Sequence, residues 1–287
     1  MNRLAQTRYI ADEMLDARPC PASARGKLFT LGKLTGAVLI AVWIAFFAAI
    51  IWFLIDSYDA DYMSRYSVRY LDGFLTTIEL VFWSLVIGGI LSLPIAFGRM
   101  SKNGFLRQLS FGYIYFFRGT PLLAQLFLLY YGFGQFRPFW QDVGLWWLFR
   151  DSWSIALLSF TLNTAAYQAE ILRGAIMNVP KGQVEGAQSL GLSKLVTFFK
   201  VVLPQAMIVA LRPYGNEVIL MIKGSAVVSI ISVYDLMGHT RRAFSQTYDF
   251  QAYIYAAIFY LLCVEILRRL WDMLEKRLTR HLKRDNG

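Results

Sequence analysis

Asn163, Tyr167 and Glu170 stand at i, i+4 and i+7 in the stretch TLNTAAYQAE, so on a helix they share one face. Thr164 flanks that face, and Ala165, Ala166 and Ala169 leave room for close packing beside it. An amide, a phenol and a carboxylate in one row can hold a polar solute. They can equally hydrogen-bond to a neighbouring helix with no solute present. Both readings stay open for Asn163 and Thr164; for Glu170 the interhelical one is preferred. Glu79, near Thr76 and Thr77, is a second candidate, because a carboxylate there attracts an ammonium group. Residues 181–204, KGQVEGAQSLGLSKLVTFFKVVLP, form a polar, glycine-containing interruption between apolar blocks. None of these groups forms a catalytic set. There is no G-x-x-x-x-G-K-[ST] loop for ATP and no H-E-x-x-H metal pair. His239 and His281 are isolated, and Cys20 and Cys263 have no metal or disulfide spacing.

The elements that position these residues follow from composition. The 287 residues are 56% hydrophobic and only 17% charged, against about 25% charged in an average soluble domain. The apolar residues come in long blocks, and about 20 of them cross a ~30 Å hydrocarbon core as helix. Six helical spans are expected, at 34–55, 73–98, 111–133, 152–172, 206–232 and 251–270. The chain reads as an all-α polytopic membrane protein. Glu79 then lies in the second span and Asn163, Thr164, Tyr167 and Glu170 in the fourth. Such residues cost about 2.5–3.5 kcal/mol near a bilayer centre and usually face a cavity or a partner. The block Lys223-Gly224-Ser225 is expected to break the fifth span, and Arg118 is expected to snorkel to headgroups.

Lysines and arginines fix the orientation. The N-terminal arm 1–33, the loop after span 2, the loop after span 4 with the 181–204 segment, and the C-terminal end hold 20 of them, and the opposite loops hold 6. By the positive-inside rule both termini are cytoplasmic. The same asymmetry accounts for the net charge of +10, with attraction to anionic membrane lipid and no need of nucleic acid.

The 181–204 segment therefore lies at the cytoplasmic surface. Pro180 suits a helix start, and Val184, Ala187 and Leu190 share a face. Gly191 suits a left-handed helix end, Ser193 suits a cap, and Pro204 is expected to stop or restart a second helix over 194–203. An amphipathic connector on lipid headgroups fits this pattern. So does a docking element, with Glu185 as its charge and Gly186 and Ala187 as small residues that admit a partner's backbone.

The pattern E-G-A-x-x-x-G followed by L-P, from Glu185, Gly186 and Ala187 through Gly191 to Leu203 and Pro204, resembles the EAA loop of ABC importer membrane subunits. Gly186 replaces the family's usual alanine. FFRGTPLLAQLFLLYYG (116–132), TLNTAAYQAEILRGAI (161–176) and NEVILMIKGSAVVSIISVYDL (216–236) resemble the histidine, arginine and glutamine permeases. The resemblance covers residues 70–278. It implies a type I importer core of five spans, with 34–55 as an extra N-terminal span and 279–287 as a basic tail. It also implies that 181–204 couples to a cytoplasmic ATPase dimer, which would bind ATP and Mg in place of this chain, so the chain is not itself an enzyme. A second permease subunit, identical or sister, a periplasmic solute-binding protein and the lipid of a bacterial inner membrane complete the expected partners. The expected cargo is a polar amino acid or a derivative such as an opine. A gradient-driven transporter or channel is the alternative. It predicts repeated halves, and the loop after span 2 has no counterpart of the 181–204 pattern.

Overall fold

The computed structural model describes residues 31–56 and 58–280. Most of the N-terminal arm with Cys20, and the end of the tail with His281, lie outside them. The described residues are helical and contain no strand. The chain divides into two units, Met1–Tyr58 and Asp59–Gly287.

The first unit holds one described helix, α1 (Leu31–Asp56). Its 26 residues include no buried one, as expected of a span apolar on every side. Their rise of 1.5 Å per residue gives about 39 Å, enough to cross the hydrocarbon.

The second unit starts with α2 (Ala60–Met100), 41 residues long with Pro94 inside it. Asp59 caps its start by accepting from the Asp61 amide at 2.8 Å. Next come α3 (Gly104–Gly119) and α4 (Leu122–Phe127). A π-helical turn (Leu128–Gly132) and a 3-10 turn (Phe133–Phe136) lead to the short helices α5 (Arg137–Asp142) and α6 (Trp146–Phe149). Then follow α7 (Ser152–Met177), α8 (Lys181–Ser189) and α9 (Lys194–Thr197). A π turn (Phe198–Val202) joins α9 to α10 (Leu203–Ser225), which tightens into a 3-10 turn (Ala226–Ile231). The unit ends with α11 (Leu236–Thr247) and α12 (Gln251–Leu278).

Three helical runs are both long and apolar enough to cross a membrane: 31–56, 64–100 and 194–231. At 26 and 28 residues, α7 and α12 have the length. Their polar and charged residues lower their hydropathy. The expected continuous span 111–133 is not one helix. Pro121 has no N–H and disfavours helical backbone at the residue before it, so Thr120 is extended (φ −114°, ψ 147°) and α3 ends.

At Pro204 the second of the two alternatives holds: α10 begins at Leu203 with Pro204 in its first turn. The wider π turn just before it absorbs the missing donor, and one helical run of 38 residues reaches from Lys194 to Ile231. One other expectation is corrected: Lys223-Gly224-Ser225 does not open a non-helical turn. Residues 223–225 stay helical, Ser225 Oγ donates to the Ile222 carbonyl at 2.8 Å, and the backbone merely tightens from Ala226.

The most extensive interface is the α2–α7 seam. Glycines make it possible. A Cβ on Gly88 would sit 2.5 Å from Thr164 Cγ2 and 3.1 Å from the Thr161 carbonyl oxygen. Leu80, Ile155, Phe160, Met221 and Ile231 pack in one buried cluster beside that seam. Elsewhere Tyr62, Tyr66 and Tyr70, spaced by one turn, pack with Leu236 of α11 and Ala252 of α12.

Candidate functional site

Two places gather the chemistry: a polar knot around α7, and the surface element 181–204. In the knot the α3–α4 break is repaired by side chains. The carbonyls at a helix end need donors. Gln125 Nε2 donates to the Phe117 carbonyl at 2.9 Å, the Thr120 carbonyl at 3.0 Å and Thr120 Oγ1 at 2.8 Å. Asn163 of α7 donates from Nδ2 to Gln125 Oε1 at 2.9 Å and to the Phe117 carbonyl at 3.1 Å. Asn163 thus ties α7 to the break.

Thr164 turns toward the other side. Its hydroxyl donates to Glu217 Oε1 at 2.8 Å and accepts from Gln168 Nε2 at 3.1 Å. Gln168 Nε2 also reaches the Leu85 carbonyl of α2 at 3.0 Å. Glu217 is only 4% exposed and belongs to α10. These bonds join α2, α7 and α10 through side chains that hydrocarbon leaves no other partner.

Tyr167 and Glu170 are half-buried and line a cleft of about 320 Å³ between α3, α7 and α10. Arg118 stands at its edge with its guanidinium 5.1 Å from the Tyr167 ring centre. Cation–π attraction helps to hold its exposed side chain there. Glu170 pairs with Arg173 one turn on. Glu79 is exposed on α2 and is not brought to this cleft. Its neighbour Thr77 is buried and accepts from the Leu236 amide at 3.2 Å.

Glu217, Gln125 and Gln168 were not among the expected site residues. Glu217 is visible in the sequence as a charge interrupting an apolar block. Gln168 is one turn from Thr164, and that spacing was a usable signal. Gln125 carries no comparable mark.

The surface element has the expected helix–turn–helix form. Gly191 takes φ +79°. Its amide donates to the Gln188 carbonyl at 2.9 Å, and the Leu192 amide to the Ala187 carbonyl at 3.2 Å. This is the paired arrangement that closes a helix through a left-handed glycine. Ser193 Oγ then accepts from the Val196 amide at 3.3 Å and starts α9.

The element is seated, not free. Ala187 is buried, Val184 half-buried, and Val184 packs against Val179, Val202 and Ala206. Gln205 of α10 donates to Gln183 of α8 at 2.8 Å. Glu185 and Gly186 face outward, Leu203 is half-buried and Pro204 exposed. At the outer tip Leu190 is 82% exposed and Leu195 69% exposed. No metal-binding group of His, Cys, Asp and Glu occurs among the described residues.

The family described as binding-protein-dependent transport system inner membrane component matches residues 84–280. The nopaline transport system permease protein NocM of Agrobacterium fabrum is 43% identical over 209 residues, 72% of this chain and 87% of the relative. The histidine/lysine/arginine/ornithine permease HisM of Escherichia coli K12 is 38% identical over 74% of this chain and 89% of its own. A solved amino acid ABC transporter, crystallised with histidines, superposes with a TM-score of 0.68 at 33% identity, covering 77% of this chain and 99% of that one. The MetNI methionine transporter shares the fold, with a TM-score of 0.61 at 18% identity. With more than half the chain matched, and relatives above one third identity along most of their length, the chain belongs to the family of binding-protein-dependent transport system inner membrane components.

Proposed function

We propose that this chain is a permease subunit of an ATP-driven importer. Its cargo is a polar amino acid or an amino-acid conjugate of the opine kind, and its setting is the bacterial inner membrane with both termini cytoplasmic. The observation that carries this reading is the seated helix–glycine–helix element with its apolar tip facing out. Leu190 and Leu195 are costly to leave in water, and a protein cleft is a natural cover for them. Glu185, Gly186, Ala187, Gly191, Leu203 and Pro204 form the coupling element, with Glu185, Gly186 and Gly191 on its outer side and Ala187 packed beneath them. The cytoplasmic ATPase dimer holds ATP and Mg. A second permease, identical or sister, and a periplasmic binding protein complete the assembly. Residues 70–278 form the transport core, 34–55 an added anchor, and 279–287 a basic tail.

The mechanism follows from stiffness. The run Lys194–Ile231 is helical throughout, about 57 Å at 1.5 Å per residue. A push on α8 and α9 passes into its base through Val202 and Gln205. It reaches Glu217, and there it strains the bond to Thr164. Making and breaking that contact lets α10 shift against α7, so the pathway opens to one side and then the other. Asn163, Thr164, Tyr167, Glu79 and Glu170 remain the proposed pathway residues, with Glu217 added. Nopaline and the basic amino acids in the relatives' names support the cargo class.

Reconstitution with the ATPase and binding protein tests this. Glu185→Arg and Gly191→Pro should abolish ATP-dependent uptake of labelled arginine or nopaline while the chain still inserts. Wild-type uptake by inserted variants would refute the coupling role. Uptake by this chain alone, driven by an ion gradient, would favour the gradient-driven reading.

A further inference from the structure

We infer that the groove between the end of α2 and the start of α3 holds an anionic phospholipid, its acyl chain along Phe97, Leu106 and Leu109 and its phosphate at Arg99, Lys102 and Arg107. The groove has a volume of about 700 Å³ and is lined almost wholly by apolar side chains. Leu109 is 61% exposed and Phe97 46% exposed. Within hydrocarbon such a trough takes a lipid tail. Its walls are firm, because Gly98 lets Ser110 approach so closely that a Cβ would lie 2.3 Å from the Ser110 hydroxyl.

What selects the headgroup is charge. From Leu80 to Gln141 the sequence has no carboxylate, while the turn between α2 and α3 is bracketed by Arg99, Lys102 and Arg107. Lys102 and Arg107 are exposed. Arg99 lies with its guanidinium 4.9 Å from the Phe111 ring centre, held across the turn by a π face. Among the described residues none of the three is in a salt bridge. Basic clusters beside apolar inter-helix troughs are the pattern that anionic lipid recognises.

The site lies on the side of the membrane that carries residues 181–204. Phe97, which lines the groove, meets the Phe198 ring at 5.9 Å, and Phe198 packs in the cluster that seats α8. A lipid in the groove therefore braces the base of the coupling element.

Native mass spectrometry of the full chain, purified in detergent and exchanged with phosphatidylglycerol or phosphatidylcholine of identical chains, tests the proposal without any transport assay. The wild type should retain phosphatidylglycerol at least about tenfold better. Lys102→Glu with Arg107→Glu should bring that ratio to about one, and Leu109→Trp should lower retention of both lipids. Lys276→Glu with Arg277→Glu should leave the ratio unchanged. Equal retention by the wild type would overturn the inference. So would a rim variant with the wild-type ratio, or a control that loses it equally. The assembled transporter should keep the same adduct; its loss on assembly would mean that a protein segment covers the groove, and would also overturn the inference.

Discussion

α1 and α7 are both 26 residues long, and they are opposites. No residue of α1 is buried, whereas α7 buries 13, among them Ser159, Thr161, Asn163, Thr164 and Gln168. The more hydrophobic helix carries almost no polar side chain with which to bind a neighbour. Hydropathy measures what a helix can show to lipid. It is the polar residues lowering the hydropathy of α7 that join it to α2, α3, α4 and α10. In a membrane apolar burial gives little net association, so packing and hydrogen bonds decide which helices meet.

This contrast can be broken or sharpened by experiment. The largest effect is expected at the seam. Gly88→Leu forces a side chain where even a Cβ would meet Thr164 at 2.5 Å. It should destabilise the second unit by about 3 kcal/mol or more, seen as loss of a monodisperse peak and of the thermal transition in detergent. Tolerance of leucine there would remove the seam from the argument.

A second effect concerns pH, at a carboxyl in the turn between the last two expected spans. Burial pushes Asp235 up to about 6, against the pull of the Gly238 and Met237 amides that it accepts from. An aspartate in the unfolded chain titrates near 3.9. Between those values the folded state holds more protons than the unfolded one. The contribution of this group is then full below about pH 4, falls by about 3 kcal/mol as pH rises to about 6, and levels off above. Thermal melts across pH 4 to 8 check this. Asp235→Asn should flatten the curve.

A smaller effect lies in the knot. A double-mutant cycle on Asn163→Leu and Gln125→Leu should give a coupling energy of about 0.6 kcal/mol. A value of zero would mean that the amides do not hold the break. At the bottom of the scale, Ala45→Leu should leave the membrane insertion of α1 unchanged, because that helix is apolar on every side. Loss of insertion would undo the contrast with α7.

The sequence made some of this legible and hid the rest for physical reasons. Long apolar blocks announced α1, α2, α7, α10 and α12, because spans are set by bilayer thickness. Gly191 and Ser193 announced their turn, because a left-handed position and a cap are local requirements. The consequences of Pro121 and Pro204 were not separable in advance. Both lack an N–H, but Gln125 and Asn163 repair one site from 4 to 42 residues away, and a π turn absorbs the other. Glu217 was visible as a charge. Its partner Thr164 lies 53 residues off, and no local spacing connects them. Asn163 shows the limit most plainly: its residue type suited a solute and a neighbouring helix equally, and its bonds to the Phe117 carbonyl and Gln125, 46 and 38 residues away, follow from no local spacing.

The unbroken run from Lys194 to Ile231 imposes a rule of phase. Each residue added or removed between Leu203 and Glu217 turns everything beyond it by about 100° and shifts it by about 1.5 Å. One deletion would swing the Glu217 carboxylate away from α7 while leaving hydropathy and length almost untouched. The loops of such a chain can drift in length over generations; this segment has to keep count.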